Sequence, residues 1–149
     1  MNNVSARKES AVVVYTDGGA RGNPGPAALG VYIETLNKKY RERCGSTTNN
    51  DAEYQAIIFA LKKCRQLLGK EKAKQTAIEI RSDSQLIVSQ LNGVYRIKEK
   101  SLGEHFIAVW NLKQDFRSVS FVHIPREENT IADKLVNEAL DGDSPKGLF

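Results

Sequence analysis

The chain has 149 residues, 40% hydrophobic and 27% charged, with 11 glycines, 4 prolines and a formal net charge of +4. That describes one domain with a real core and excludes fibrous, low-complexity and disordered classes. A mildly basic balance suits a polyanionic partner, and no stretch is long and apolar enough to predict a membrane span.

The opening MNNVSARKES is polar and of mixed charge, so residues 1–10 read as a tail without a signal peptide. Residues 11–16 are nearly all apolar and predict a strand covered on both faces, delivering Asp17 at its end. Residues 18–26, GGARGNPGP, are turn chemistry. Residues 27–35 predict a second strand, Asn37-Lys38-Lys39 a hairpin turn and Tyr40–Gly45 a third, polar edge strand. From 50 to 68 the period becomes helical through Ile57, Leu61, Cys64 and Leu68. Asn50 is the expected N-cap there and Glu53 its capping-box partner. Residues 70–75 read as a charged loop, and Thr76–Ser82 as a fourth strand reaching Asp83. Helices are expected over 84–91 and 101–115, with Trp110 on the buried stripe of the second. Val119–Ile124 is a fifth strand, and Asn129 caps a last helix.

The order βββ–α–β–α–α–β–α predicts an α/β fold with a mixed five-stranded sheet. Its first three strands are antiparallel, and the last two run parallel to strand one through right-handed crossovers. Helices cover both faces. One domain spans 11–141, and 142–149 is a second tail. Cys44 and Cys64 form no CxxC pair, so free thiols in a reducing, cytoplasmic setting are expected and a zinc site is not. No exposed apolar helix face calls for a dimer, so a monomer is expected.

Four acids stand where they can meet: Asp17 and Asp83 at strand ends, Glu53 and Asp133 in first helical turns. Singly, Glu53 reads equally well as a capping acid, Asp83 as an N-cap and Asp133 as a favourable first-turn charge. Together they repel one another unless cations neutralise them, and oxygen-only ligands select Mg²⁺ or Mn²⁺. Two such ions ~4 Å apart suit in-line phosphoryl displacement.

The strings Tyr15-Thr16-Asp17-Gly18-Gly19, Gly22-Asn23-Pro24-Gly25-Pro26, Thr47-Thr48-Asn49-Asn50-Asp51-Ala52-Glu53, Ser82-Asp83-Ser84-Gln85 and Pro125-Arg126-Glu127-Glu128-Asn129 with Ala132-Asp133 follow in order. In that order and combination the chain resembles ribonuclease H type 1. The resemblance implies endonucleolytic hydrolysis of the RNA strand of RNA–DNA hybrids, leaving 5′-phosphate and 3′-hydroxyl ends. It implies that Asp17, Glu53, Asp83 and Asp133 are the catalytic, metal-binding acids for two Mg²⁺ ions, with Mn²⁺ as a substitute. Asn23, Asn50 and Gln85 match positions at the hybrid's minor groove and 2′-hydroxyls, and Thr48 matches a phosphate-binding threonine. Gly18, Gly22, Asn49 and Ser84 complete the implied substrate-binding set, and double-stranded RNA is a secondary substrate class.

The chain departs from the pattern at two points. No histidine stands in the loop before Asp133; His123 ends the fifth strand, and the short loop resembles the archaeal-type subgroup, which makes Arg126 the auxiliary catalytic candidate. Residues 92–101 replace a long basic protrusion, leaving Tyr95, Arg96, Lys98 and Lys100 as candidate DNA-strand contacts, and the N-terminal tail has no room for a separate hybrid-binding domain. Three rivals fit less well. The glycine-rich segment opens no helix, against a dinucleotide-binding domain. Transposases and integrases on this fold lack the Thr-Asn-Asn and Gly-Asn-Pro strings, and a non-catalytic hybrid-binding module would have lost acids.

Overall fold

The computed structural model describes residues 11–142. In chain order the elements are β1 (Val12–Ala20), β2 (Gly25–Ile33), β3 (Lys38–Thr47), α1 (Asn49–Leu68), α2 (Lys70–Lys74), β4 (Ala77–Ser82), α3 (Gln85–Leu91), α4 (Lys100–Lys113), β5 (Ser118–His123), a 3-10 turn (Arg126–Glu128) and α5 (Thr130–Gly142). The strands form one sheet in the order β3-β2-β1-β4-β5. The β1–β2 and β2–β3 pairs are antiparallel; the β1–β4 and β4–β5 pairs are parallel. This is the expected topology. The predicted tail 1–10 lies outside the described residues, as does 143–149, while Gly142 belongs to α5.

Strand β1 runs further than its apolar residues suggest. Asp17, Gly18 and Gly19 lie inside it, paired with Gly30, Leu29 and Ala28 of β2. On its other edge β4 accompanies it only as far as Thr16↔Ser82. Asp17 is therefore mid-strand against β2 and the first residue past the end of β4. The expected strand end holds on one edge only, because the glycines keep pairing with β2.

The core lies between the sheet and α1, α3 and α4. Val12 and Val14 of β1, Ile78 and Ile80 of β4, and Tyr54, Ile57, Leu61 and Cys64 of α1 are buried there. A smaller cluster of Ala28, Val136 and Ala139 seats α5 on the opposite side of the sheet. Two glycines set these distances. A Cβ on Gly18 would lie 2.3 Å from the Ala52 carbonyl of α1, and one on Gly30 would lie 2.4 Å from the Ala132 carbonyl oxygen of α5. No real Cβ tolerates either contact, so both helices press on the sheet where only glycine fits.

Several local expectations are corrected. Helix α1 begins two residues early: Thr48 is the N-cap, and its hydroxyl accepts from the Asp51 N–H at 3.2 Å. Glu53 therefore stands two residues deeper than a capping-box acid. The charged segment 70–74 is a short helix, since Lys-Glu-Lys-Ala-Lys favours one. The β2–β3 turn falls on 34–37, with Asn37 at φ 55°, and Lys38 and Lys39 already belong to β3. Trp110 is 54% exposed rather than buried, its ring beneath Lys113 at 5.2 Å. Helix α4 packs on α1 through a narrow stripe of Leu102 and Val109, and Trp110 falls just off it. Cys44 and Cys64 are both free.

Candidate active site

Each acid reaches the site by a different local route. Asp17 is carried by β1 beyond the end of β4, and Asp83 follows directly on Ser82, the last residue of β4. Ser84 then caps α3, accepting from the Ile87 N–H at 3.3 Å, so Asp83 is not spent on capping. Glu53 projects from the second turn of α1, on the same stripe as Ile57 and Leu61. Asp133 stands in the first turn of α5. That turn is anchored by Asn129, whose carbonyl accepts the Asp133 N–H and whose side chain donates to the Thr16 carbonyl at 2.9 Å. The expected capping asparagine thus ties α5 to the residue before Asp17.

Carboxylate oxygens of Asp17, Glu53 and Asp83 lie within 4.8 Å of one another. Asp133 lines the same cleft, near enough for its charge to act on Asp17. Asp17 is 8% exposed and Glu53 9%. Burial, then the charges of Asp83 and Asp133, push the Asp17 carboxyl from its ordinary 3.8 up to about 8. Burial, then Asp17 and Asp83, push Glu53 well up as well. The Gly18 backbone N–H offsets only part of this at both groups.

A cluster so strained by its own charge is built for a cation. The donors are all oxygen, which fits a hard divalent ion. Oε1 of Glu53 is buried without a hydrogen-bond partner among the described residues, which an ion would satisfy. Asp17, Glu53, Asp83 and Asp133 are the residues that would hold it.

The four acids line one cleft of about 470 Å³, together with Gly18, Asn49 and Arg126 among the expected residues. Arg126 sits in the 3-10 turn that leads into α5. His123 is exposed at the end of β5 and does not line the cleft. Gly22, Asn23, Thr48, Asn50, Ser84 and Gln85 stand outside its lining, beside it in the chain or through hydrogen bonds. Asn23 Oδ1 accepts from the Asn49 N–H at 2.9 Å, and Asn49 Oδ1 accepts from the Ala20 N–H at 2.8 Å. These two bonds tie the β1–β2 turn to the start of α1. Tyr95, Arg96, Lys98 and Lys100 are exposed and do not line the cleft.

Besides the small or apolar Gly19, Ala20, Val136 and Leu140, two lining residues with polar or charged side chains were not expected, Arg21 and Asn137. Asn137 stands four residues after Asp133 and donates to its carbonyl at 3.1 Å, a helical spacing that the sequence does offer. Arg21 is a cation inside the glycine-rich turn, and that oddity was its signal.

Comparison with known proteins decides the family. The model of a family described as reverse transcriptase-like matches residues 15–139. A solved structure of LC11-RNase H1 in complex with an RNA/DNA hybrid is 47% identical, with a TM-score of 0.82, covering 89% of this chain and 98% of that one. The chain belongs to the ribonuclease H type 1 family. Ribonuclease H1 from the archaeon Halobacterium salinarum, also solved, is 36% identical at a TM-score of 0.81, covering 89% of this chain and 99% of that one. A bifunctional protein of Mycobacterium tuberculosis is 35% identical over 87% of this chain, which spans 35% of the mycobacterial protein's length. The ribonuclease H fold inferred from element order is the fold these relatives share.

Proposed function

We propose that this protein is an endoribonuclease that hydrolyses the RNA strand of RNA–DNA hybrids, leaving 5′-phosphate and 3′-hydroxyl ends. The observation that carries the reading is the convergence of three carboxylates within 4.8 Å, with Asp133 lining the same cleft, in a member of this family. Residues 11–141 form the catalytic domain. Asp17, Glu53, Asp83 and Asp133 hold two Mg²⁺ ions, with Mn²⁺ able to replace them. Such ions, when bound, would supply an acidified water and positive charge for the departing oxygen.

The chain's own residues do the rest. Water attacks phosphorus, the P–O3′ bond breaks, and the 3′-oxygen leaves as a hydroxyl once protonated. Asn23, Asn50 and Gln85 recognise the 2′-hydroxyl, which both donates and accepts, as an amide side chain does. Gly22 leaves the backbone free to approach the groove, while Gly18, Asn49 and Ser84 shape the groove by seating α1, the β1–β2 turn and α3. Thr48 receives a DNA-strand phosphate. Arg126, lining the cleft, places a fixed positive charge beside the scissile phosphate.

The test offers a labelled RNA–DNA hybrid, a DNA duplex and an RNA duplex, each with Mg²⁺, with Mn²⁺ and with EDTA. Metal-dependent cutting of the hybrid's RNA strand is expected, with slower or no cutting of duplex RNA. Intact RNA in the hybrid under both metals would overturn the reading.

A further inference from the structure

The least explained group in the cleft is Arg21. Its backbone is fixed. The Arg21 N–H donates to the Pro26 carbonyl at 2.8 Å, closing the β1–β2 turn. A Cβ on Gly25 would lie 2.1 Å from the Arg21 carbonyl oxygen, so the turn is folded tightly around this residue. The turn is also held from α1 by the Asn23–Asn49 and Asn49–Ala20 bonds. From this rigid base the guanidinium crosses to α5. Nη1 meets Asp141 Oδ1 at 2.5 Å and Nη2 meets Asn137 Oδ1 at 3.3 Å.

Both ends of the Asp141 pair are open to water, with side-chain exposures of 47% and 64%. Such pairs contribute little to stability, so this one is readily exchanged. A phosphodiester offers the guanidinium two oxygens for a bidentate pair, as the carboxylate does, and brings the cumulative charge of its strand as well. Arg21 shares one cleft with the four acids and Arg126. A strand that brings a phosphate to the acids therefore passes Arg21 as well.

We propose that Arg21 is a substrate-binding residue that grips a phosphate of the strand being cut, and that Asp141 holds it poised until that strand displaces the carboxylate. This rests on the hybrid-cleaving reading above. It adds a specific competition: Asp141 and the nucleic acid want the same cation.

The competition separates binding from mere bracing of α5. Arg21→Ala, Arg21→Lys and Asp141→Asn are compared with wild type by kcat, KM, melting temperature and the salt dependence of hybrid binding. Arg21→Ala should raise KM roughly five- to tenfold with kcat nearly unchanged, and flatten the slope of log Kd against log salt by about one. Arg21→Lys keeps the charge and should keep the slope, at intermediate KM. Asp141→Asn should leave KM equal or lower, the opposite direction. If Arg21→Ala and Asp141→Asn change KM and melting temperature alike, the arginine is only a brace and the proposal falls. A wild type that cuts hybrid while Arg21→Ala keeps its KM and salt slope also overturns it. A wild type that does not cut hybrid overturns the underlying reading first and this one with it.

Discussion

Asp17 and Glu53 carry opposite demands. Folding buries them, and the site they build needs them charged. For Asp17 the carboxyl moves from 3.8 to about 8 on folding without metal. Between those values the folded chain holds a proton that the unfolded chain has released. Stability is then full below the unfolded pKa and is lost as pH rises through the folded one. Glu53, shifted the same way, adds to the slope. In EDTA the melting temperature should fall from pH ~5 to pH ~8 and then level off. Asp17→Asn should raise the melting temperature in EDTA at pH ~8 and flatten that fall. Saturating Mg²⁺ should flatten it in the wild type, adding about 2.7 kcal/mol at a hundredfold excess over Kd. A pH-independent melting temperature in EDTA would show that these groups are not strained as described. At this scale Asp17 was legible, because a charge ending an apolar run has few other uses; Glu53, Asp83 and Asp133 read singly as caps or first-turn charges and became legible only together with the strings of the resemblance. Arg126 was legible only through resemblance. Arg21 was not, since its partners Asn137 and Asp141 lie more than a hundred residues away.

At the scale of elements, the site depends on how closely two helices approach the sheet. Gly18 is the contact point for α1, one residue after Asp17 and facing the turn that bears Glu53. Gly18→Ala should push the start of α1 away, costing ~1–3 kcal/mol as overpacking does. Activity should fall more than stability at a temperature where the variant is still folded, since Asp17 and Glu53 would part. Denaturant melts and hybrid cleavage on one preparation check this; full activity in a folded variant would mean that the close approach is not needed. Element types followed from periodicity and alternation, as the strand Ala77–Ser82 and helix α1 illustrate. Element ends did not. Thr48 and Asn50 both look like N-caps, and only the bond to the Asp51 N–H chooses between them. Gly18 and Gly19 look like a turn in isolation and become strand because β2 pairs with them. Trp110 fits a helical stripe, but the stripe is narrower than its pattern, because the buried residues of α4 are Leu102 and Val109.

For the whole molecule, the sheet order places β1 between an antiparallel and a parallel neighbour. That was legible from connection lengths alone, because short links make hairpins and helical links make crossovers. The ladder's uneven ends open a cleft where β4 stops and β1 continues. Four acids gather there in a chain whose net charge is +4, and the cations that can meet a polyanion begin inside the cleft with Arg21 and Arg126. Among the described residues no helix is long and apolar enough to cross a membrane. The central claim is that the acid cluster cuts RNA in a hybrid by holding metal, and one comparison tests it most directly. Wild type and Asp17→Asn are given the same end-labelled hybrid in Mg²⁺, with cleavage rate and hybrid Kd measured side by side. Loss of a partner behind a metal ligand costs ~10–100-fold, so loss of the ligand itself should cost more than about a hundredfold in rate, with Kd little changed. Near-normal cleavage by Asp17→Asn would contradict the account.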